Sequence, residues 1–252
     1  IIILIIEDYL IIISIYKQIN MNDNNKIPSN DKWIGSFIGL AIGDQLGSLV
    51  EGKPRGSFDR VTGMTDGSFW TDDTSQALCI ADSLISTKEL DLSDQLERFT
   101  KWLFEGYLSC KEWGYGCGPT ARTAITNFKN TGKISPVKDQ PTNGALMRLA
   151  PVPLFYISDI KQAIIMSGES SRSTHDNTTC IDACRLYGSM IVKAVQGGDK
   201  NSILNYDSEL WNDIPLEESI YNVALGSFKE KNPPDIKGTL NISESIEVTL
   251  IL

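Results

Sequence analysis

Apolar positions along this chain recur mostly at helical spacing. After residue 74 they fall at Ala77, Leu78, Ile80, Ala81, Leu84 and Ile85, the stripe of a helix. Residues 33–50 form a second helical stretch, with Gly35, Gly39, Gly43 and Gly47 at four-residue spacing. On a helix these glycines line one stripe and let another backbone approach closely. Because glycine is a poor helix former, the stripe needs a packing or ligand reason. Asp44, Ser48 and Glu51 stand at i, i+4 and i+7 and share another face. Residues 92–108 predict an amphipathic helix, 114–118 a glycine-rich loop and 120–128 a short helix. Residues 144–156 are apolar around Pro151 and Pro153, and 160–166 predict a short helix. A long helix follows over 177–195, opened by Thr174 or Asp176 as its cap. Convincing strand-like alternation is absent. The pattern predicts an all-α fold, a single globular multi-helix domain without internal repeats.

The two ends depart from this pattern. Residues 1–15 are rich in isoleucine, but Glu7 and Asp8 interrupt them, and the uninterrupted runs are too short to span a bilayer. No positive leader or small-residue cleavage site marks a signal peptide. Met21 and the polar stretch 22–31 follow, so the expected start is Met21, with 1–20 an artefact of translation or fragmentation. Residues 1–30 are thus expected to be a poorly structured or artefactual extension, and 31–252 the domain. Leu252 closes an apolar run without a helix stop signal, which reads as truncation.

Composition narrows the function. The chain has 252 residues, enough for one sizeable core, and a net charge of -9. That acidity argues against a nucleic-acid surface, which needs clustered Lys and Arg. A small anion would need a metal ion or helix N-termini to supply local positive field. The five cysteines, Cys79, Cys110, Cys117, Cys180 and Cys184, do not read as a disulfide framework. Cys180 and Cys184 share a helix face, and with the single histidine, His175, a zinc site is weakly supported. Buried free thiols in a reducing, cytoplasmic compartment are the expectation.

Chemistry concentrates at Thr71-Asp72-Asp73-Thr74, just before the 77–85 stripe. Thr and Asp favour helix N-caps, but one would suffice. Adjacent carboxylates repel unless a cation sits between them, and hard divalent cations want such oxygen ligands. Terpenoid synthases also use an aspartate pair, but they need another carboxylate three residues on, where Gln76 stands. At 43–51, Asp44 and Glu51 read either as a solvated face or as carboxylates directed to the metal. Asn143-Gly144 reads as a turn, or as a helix start cradling phosphate near Met147 and Arg148. His175 precedes the helix over 177–195, where it is structural or meets a phosphate or ribose.

Taken in order, these segments resemble the ADP-ribosylglycohydrolase family. The resemblance rests on Gly39-Leu40-Ala41-Ile42-Gly43-Asp44 with Gly47 and Glu51, then Trp70-Thr71-Asp72-Asp73-Thr74. Gly114-Tyr115-Gly116, Asn143-Gly144 with Met147-Arg148 and Ala150-Pro151, and Thr174-His175 follow in the family order. The resemblance implies an all-α hydrolase with two Mg²⁺ or Mn²⁺ ions, which cleaves ADP-ribose from a protein side chain or small conjugate. It implies Thr71, Asp72 and Asp73 as metal ligands, and Glu51, Asp72 and Asp73 as the catalytic set. Asp44, Tyr115, Gly116, Asn143, Gly144, Met147, Arg148 and His175 would bind substrate. The partner would be an ADP-ribosylated protein or small-molecule conjugate, with no membrane and a monomeric enzyme. The alternatives are a catalytically impaired ADP-ribose-binding module and a structural, crystallin-like relative. Two departures matter. Thr142 stands where the family usually has glycine, and the late Gly-Gly-Asp-x-Asp-Thr motif is missing from its proper place. Gly197-Gly198-Asp199-Lys200-Asn201-Ser202 is a partial lookalike, expected to be an ordinary surface turn. The resemblance therefore implies half of a binuclear site.

Overall fold

A computed structural model describes residues 30–65, 67–211 and 213–251. The expectations for residues 1–20 and Met21 lie outside these. Helices α1 (Asn30–Gly47), α2 (Asp72–Thr87), α3 (Leu92–Glu105) and α4 (Pro119–Thr131) come first. A 3₁₀ turn at Asn143–Ala145 leads to α5 (Pro151–Phe155), α6 (Ile160–Ser171) and α7 (Thr178–Val195). The short α8 (Lys200–Leu204), α9 (Ser208–Trp211) and α10 (Glu218–Ala224) precede a 3₁₀ turn at Ser227–Glu230 and α11 (Ile242–Ile251). Among the described residues no strand forms, only isolated bridges pairing Val137 with His175 and Thr142 with Asn241. The all-α expectation holds.

The element boundaries follow local chemistry. Asp91 caps α3 by accepting from the Ser93 and Asp94 N–H groups at 2.8 and 3.1 Å. The predicted 92–108 helix stops early, because Gly106 takes the left-handed conformation and closes it. Helix α6 runs past residue 166 to Ser171. Neither Thr174 nor Asp176 caps α7. The cap is Asn177, whose side chain accepts from the Thr179 N–H at 3.0 Å. The lookalike at 197–202 is a surface turn, in which exposed Asp199 caps α8.

Helix α2 is the centre of the molecule. Cys79, Ile80 and Leu84 join a large core with Leu96, Phe99 and Trp102 of α3, Ile125 of α4 and Ala183 of α7. Ala77, Leu78 and Ala81 face a second core with Trp33 and Phe37 of α1, Leu154 of α5 and Val192 of α7. A helix apolar on both sides must be buried on both sides, and each fully buried large side chain contributes about 1.5–3 kcal/mol. The acidic turn at the start of α2 is therefore held by a rigid element.

The glycine stripe of α1 does not do what its spacing predicts. A Cβ built on Gly35, Gly39, Gly43 or Gly47 meets nothing within 4 Å. Instead of receiving a backbone, Gly35 and Gly39 line an open groove of about 460 Å³ with Met147, Tyr187, Ser245 and Thr249. Exposed Ile38 and Ile42 lie on the same helix.

Candidate active site

The acidic turn is built by the end of α1. Thr71 occupies the N-cap position of α2, yet its side chain makes no capping bond. Asp44 supplies the cap from the neighbouring helix. Its Oδ2 accepts from the backbone N–H groups of Thr71 and Thr74 at 2.8 and 3.1 Å. Both threonine hydroxyls donate to the same carboxylate, Thr71 at 2.7 Å and Thr74 at 2.6 Å. The carboxylate satisfies the orphan donors of the helix start and suits its positive end. Around it, Gln45 Nε2 donates to the Ser68 carbonyl at 2.9 Å and Ser48 Oγ to the Phe69 carbonyl at 3.0 Å. Expected to bind substrate, Asp44 instead has both oxygens committed to fixing Thr71 and Thr74.

This frees the aspartate pair from capping. Asp72 is 8 % exposed, and its Oδ2 accepts the Gly118 N–H at 3.3 Å. Burial pushes its carboxyl up to about 7, against that hydrogen bond, with the charges of Asp44 and Glu51 adding to the rise. Asp73 is pushed well above the usual carboxylate range, first by burial, then by the charges of Asp72, Asp44 and Glu51. Among the described residues no lysine or arginine forms an ion pair with either aspartate. Glu51 is exposed on the turn beyond α1, where Gly47 accepts its backbone N–H at 3.0 Å.

The glycine-rich loop closes on this turn. Gly116 has φ +90°, and a Cβ there would lie 2.8 Å from Asp72 Oδ1 and 2.8 Å from Thr71 Cβ. Only glycine fits both the backbone conformation and the close approach. Exposed Tyr115 and the ring of Phe69 flank Lys111, whose Nζ lies 6.0 and 3.1 Å from their centroids.

The Asn143–Gly144 turn is clamped by the segment that leads into α11. Asn143 N–H donates to the Leu240 carbonyl at 3.0 Å, and Ile242 N–H to the Pro141 carbonyl at 2.9 Å. Asn143 Nδ2 donates to Ser245 Oγ at 3.0 Å. Asn143 and Met147 border the groove described above. Arg148 and His175 are placed differently from the cleft-lining expectation, each being 1 % exposed. The Arg148 guanidinium donates to Gln76 Oε1, to Thr174 Oγ1 at 2.6 Å and to Ser173 Oγ at 3.2 Å. It also lies over the Phe99 ring at 4.6 Å. Burial pushes it down to about 10. His175 is pushed down to about 3 by burial and then by Arg148, so its imidazole is neutral. In this arrangement neither offers a face to a ligand. The partners Thr120 and Gln140 had no role in the sequence reading, where Gln76 counted only as a missing carboxylate. The one available cue was Thr142 in the place of a family glycine.

The donors decide whether a divalent cation suits the turn. Thr71, Asp72 and Asp73 present oxygen only, and no side-chain cation pairs with the two carboxyl groups among the described residues, which fits Mg²⁺ or Mn²⁺. Among the described residues no three His, Cys, Asp or Glu side chains converge as a metal site. The turn thus supplies part of a shell, suited to an ion that keeps several waters. Cys79, Cys180 and Cys184 are buried free thiols, and no zinc site forms among the described residues.

Comparison with known proteins agrees with this architecture. Residues 25–239 match the family model for ADP-ribosylglycohydrolase. The chain is 27 % identical over 231 residues to the ADP-ribosylarginine hydrolase Tri1 of Serratia proteamaculans (strain 568), covering 88 % of this chain and 62 % of that protein. It is 29 % identical over 184 residues to the ADP-ribosyl-[dinitrogen reductase] glycohydrolase of Rhodospirillum rubrum, covering 67 % of this chain and 59 % of that one. A solved structure described as an ADP-ribosylglycohydrolase-related protein complex superposes with a TM-score of 0.70 at 29 % identity, covering 87 % of this chain and 74 % of that chain. The chain thus spans 62 % and 59 % of the length of these two sequence relatives.

Proposed function

The chain belongs to the ADP-ribosylglycohydrolase family, and on that premise we propose that it hydrolyses the glycosidic bond joining ADP-ribose to an acceptor, with Mg²⁺ or Mn²⁺ held at Thr71, Asp72 and Asp73. One observation carries this reading. Asp44 takes over the capping of α2, which leaves one buried and one half-buried carboxyl group with no side-chain cation to offset them. A bound divalent ion would polarise the substrate and activate water. Both aspartates stand on a helix buried on both faces, and the Gly118 N–H holds Asp72, which supports the metal reading. Glu51, exposed and felt electrostatically by both aspartates, would take a proton from water or stabilise oxocarbenium charge. The Gly114-Tyr115-Gly116 loop and the Asn143–Gly144 turn form the walls that receive ADP-ribose.

Two named relatives act on ADP-ribosylarginine and on ADP-ribosylated dinitrogen reductase, so an arginine-linked conjugate is the first acceptor to test. The protein would act as a monomer on ADP-ribosylated protein in the cytoplasm; no helix among the described residues is long and apolar enough to cross a membrane. Arginine- and serine-linked ADP-ribose peptides, incubated with the chain and Mg²⁺ or with EDTA, test the reading. Free ADP-ribose should appear with Mg²⁺ and vanish with EDTA. Release that ignores EDTA sinks the metal assignment. A second reading, a module that binds ADP-ribose without turnover, is favoured by the partial donor set. Binding of ADP-ribose with no release from any conjugate would select it.

A further inference from the structure

His175 sits in a chain of hydrogen bonds that hydrolysis alone does not explain. Arg148 Nη2 donates to Thr174 Oγ1 at 2.6 Å, and Thr174 Oγ1 lies 2.7 Å from His175 Nδ1. On the other side of the ring, Nε2 lies 2.9 Å from Thr142 Oγ1. Thr142 Oγ1 donates to Thr120 Oγ1 at 3.1 Å, which donates to Gln140 Oε1 at 2.9 Å.

With the Gln140 carboxamide oxygen turned to Thr120, counting protons gives the chain a direction. A carboxamide oxygen only accepts, so the single hydroxyl proton of Thr120 points to Gln140. Thr120 then accepts from Thr142, and Thr142 can only accept from the ring. Nε2 must therefore carry the hydrogen. From the other end a guanidinium only donates, which leaves the Thr174 proton for Nδ1. The Arg148 end permits the same tautomer, and the Gln140 end decides it.

The ring is also packed against the ADP-ribose turn. A Cβ on Gly144 would lie 3.0 Å from His175 Cε1 and 3.2 Å from Nε2. The backbone around His175 is tied down as well: Val137 N–H donates to the Thr174 carbonyl, and Asp176 N–H to the Val137 carbonyl, both at 2.9 Å. Thr142, the residue that departs from the family's glycine and precedes Asn143, thus ties the turn to the ring.

We propose that His175, fixed as its Nε2–H tautomer between Thr174 and Thr142, is a positioning residue that sets the Asn143–Gly144 turn for ADP-ribose. The role rests on the reading of that turn as part of the ADP-ribose cleft. His175 acts through Thr142 and the face of Gly144, and it touches no substrate. Its hydroxyl partners keep the turn pre-shaped, so less ordering remains for the ligand to impose.

Because the chain has one histidine, ¹⁵N NMR of the full protein gives one pair of ring signals. The expected spectrum has a protonated Nε2 and a bare Nδ1. An Nδ1–H ring overturns the proposal. Thr142→Val removes the acceptor and should raise the Kd and KM for ADP-ribose and its conjugates about tenfold, about 1.4 kcal/mol, while leaving kcat nearly unchanged. Thr142→Ser should restore both the tautomer and the affinity. Equal affinity in Thr142→Val and wild type contradicts the positioning role. Gln140 is exposed, so Gln140→Leu tests the chain's direction without threatening the core. It should populate the second tautomer, and an unchanged spectrum argues against the proposal. The expected tautomer in a protein that binds no ADP-ribose overturns the cleft reading alone, whereas an Nδ1–H ring in a protein that binds it overturns this inference alone.

Discussion

Asp44 shows how much one side chain settles. Its carboxylate accepts from two backbone and two hydroxyl donors of the acidic turn. Asp44→Ala should cost about 1–2 kcal/mol of stability, as loss of a cap does, read as a lower urea midpoint. Metal-dependent release should fall further than stability, because Thr71 and Asp72 lose their orientation. Gly116→Ala should also impair the site, since the new methyl would press on Asp72 Oδ1 in a backbone conformation that disfavours it. The expected loss is in metal-dependent hydrolysis; normal activity would mean that the loop does not close on Asp72. His175 predicts an acid-side instability. Its folded pKa is depressed to about 3, against 6.5 for the free side chain. Its contribution is therefore complete above pH 6.5 and lost as pH falls from 6.5 toward 3. Asp72 works with the opposite sign. Its folded carboxyl is raised from 3.8 to about 7, so its contribution is complete below pH 3.8 and lost as pH rises through 7. Urea midpoints measured from pH 4 to 8 should show the first slope weakened in His175→Gln and the second in Asp72→Asn.

At the scale of elements, α2 explains why the acidic turn stays put. Leu78 lies in the core shared with α1, and Leu84 in the core shared with α3. Leu78→Ala should destabilise by about 2–5 kcal/mol, measurable by urea unfolding. The helices themselves were legible in the sequence, since apolar spacing is a local property. So was the turn at 71–74, where adjacent carboxylates stand at a helix start. What spacing alone could not reveal was who serves whom. Asp44 lies 30 residues from Thr74, and no local pattern announces that it caps α2. Arg148 and His175 carry chemistry suited to a ligand, but Arg148 is buried against Gln76 of α2 and Phe99 of α3, and His175 against Thr142 and Gly144. The glycine stripe of α1 misled for the same reason: spacing shows which residues share a face, not what covers it. The cap of α7 was misplaced by only one residue beyond Asp176, the usual uncertainty of a boundary.

At the scale of the molecule, two cores meet at α2, and the walls of the site come from separate stretches of chain. Asp44 is bonded to Thr71, Gly118 to Asp72, and the turn at 143–144 packs on His175 and Ser245. That turn is held by residues 240–245 at the start of α11. The fold thus brings the motifs at 44, 71–74 and 116–118 together at the N-terminus of α2. The central claim is that Asp72 and Asp73 hold the metal on which hydrolysis depends. The most direct test is Mg²⁺-dependent release of ADP-ribose from an arginine-linked conjugate, by the wild-type chain and by Asp72→Ala/Asp73→Ala, with folding checked by circular dichroism. Release by the wild type, abolished in the folded double variant, is the expected result. Equal release by both proteins would contradict it.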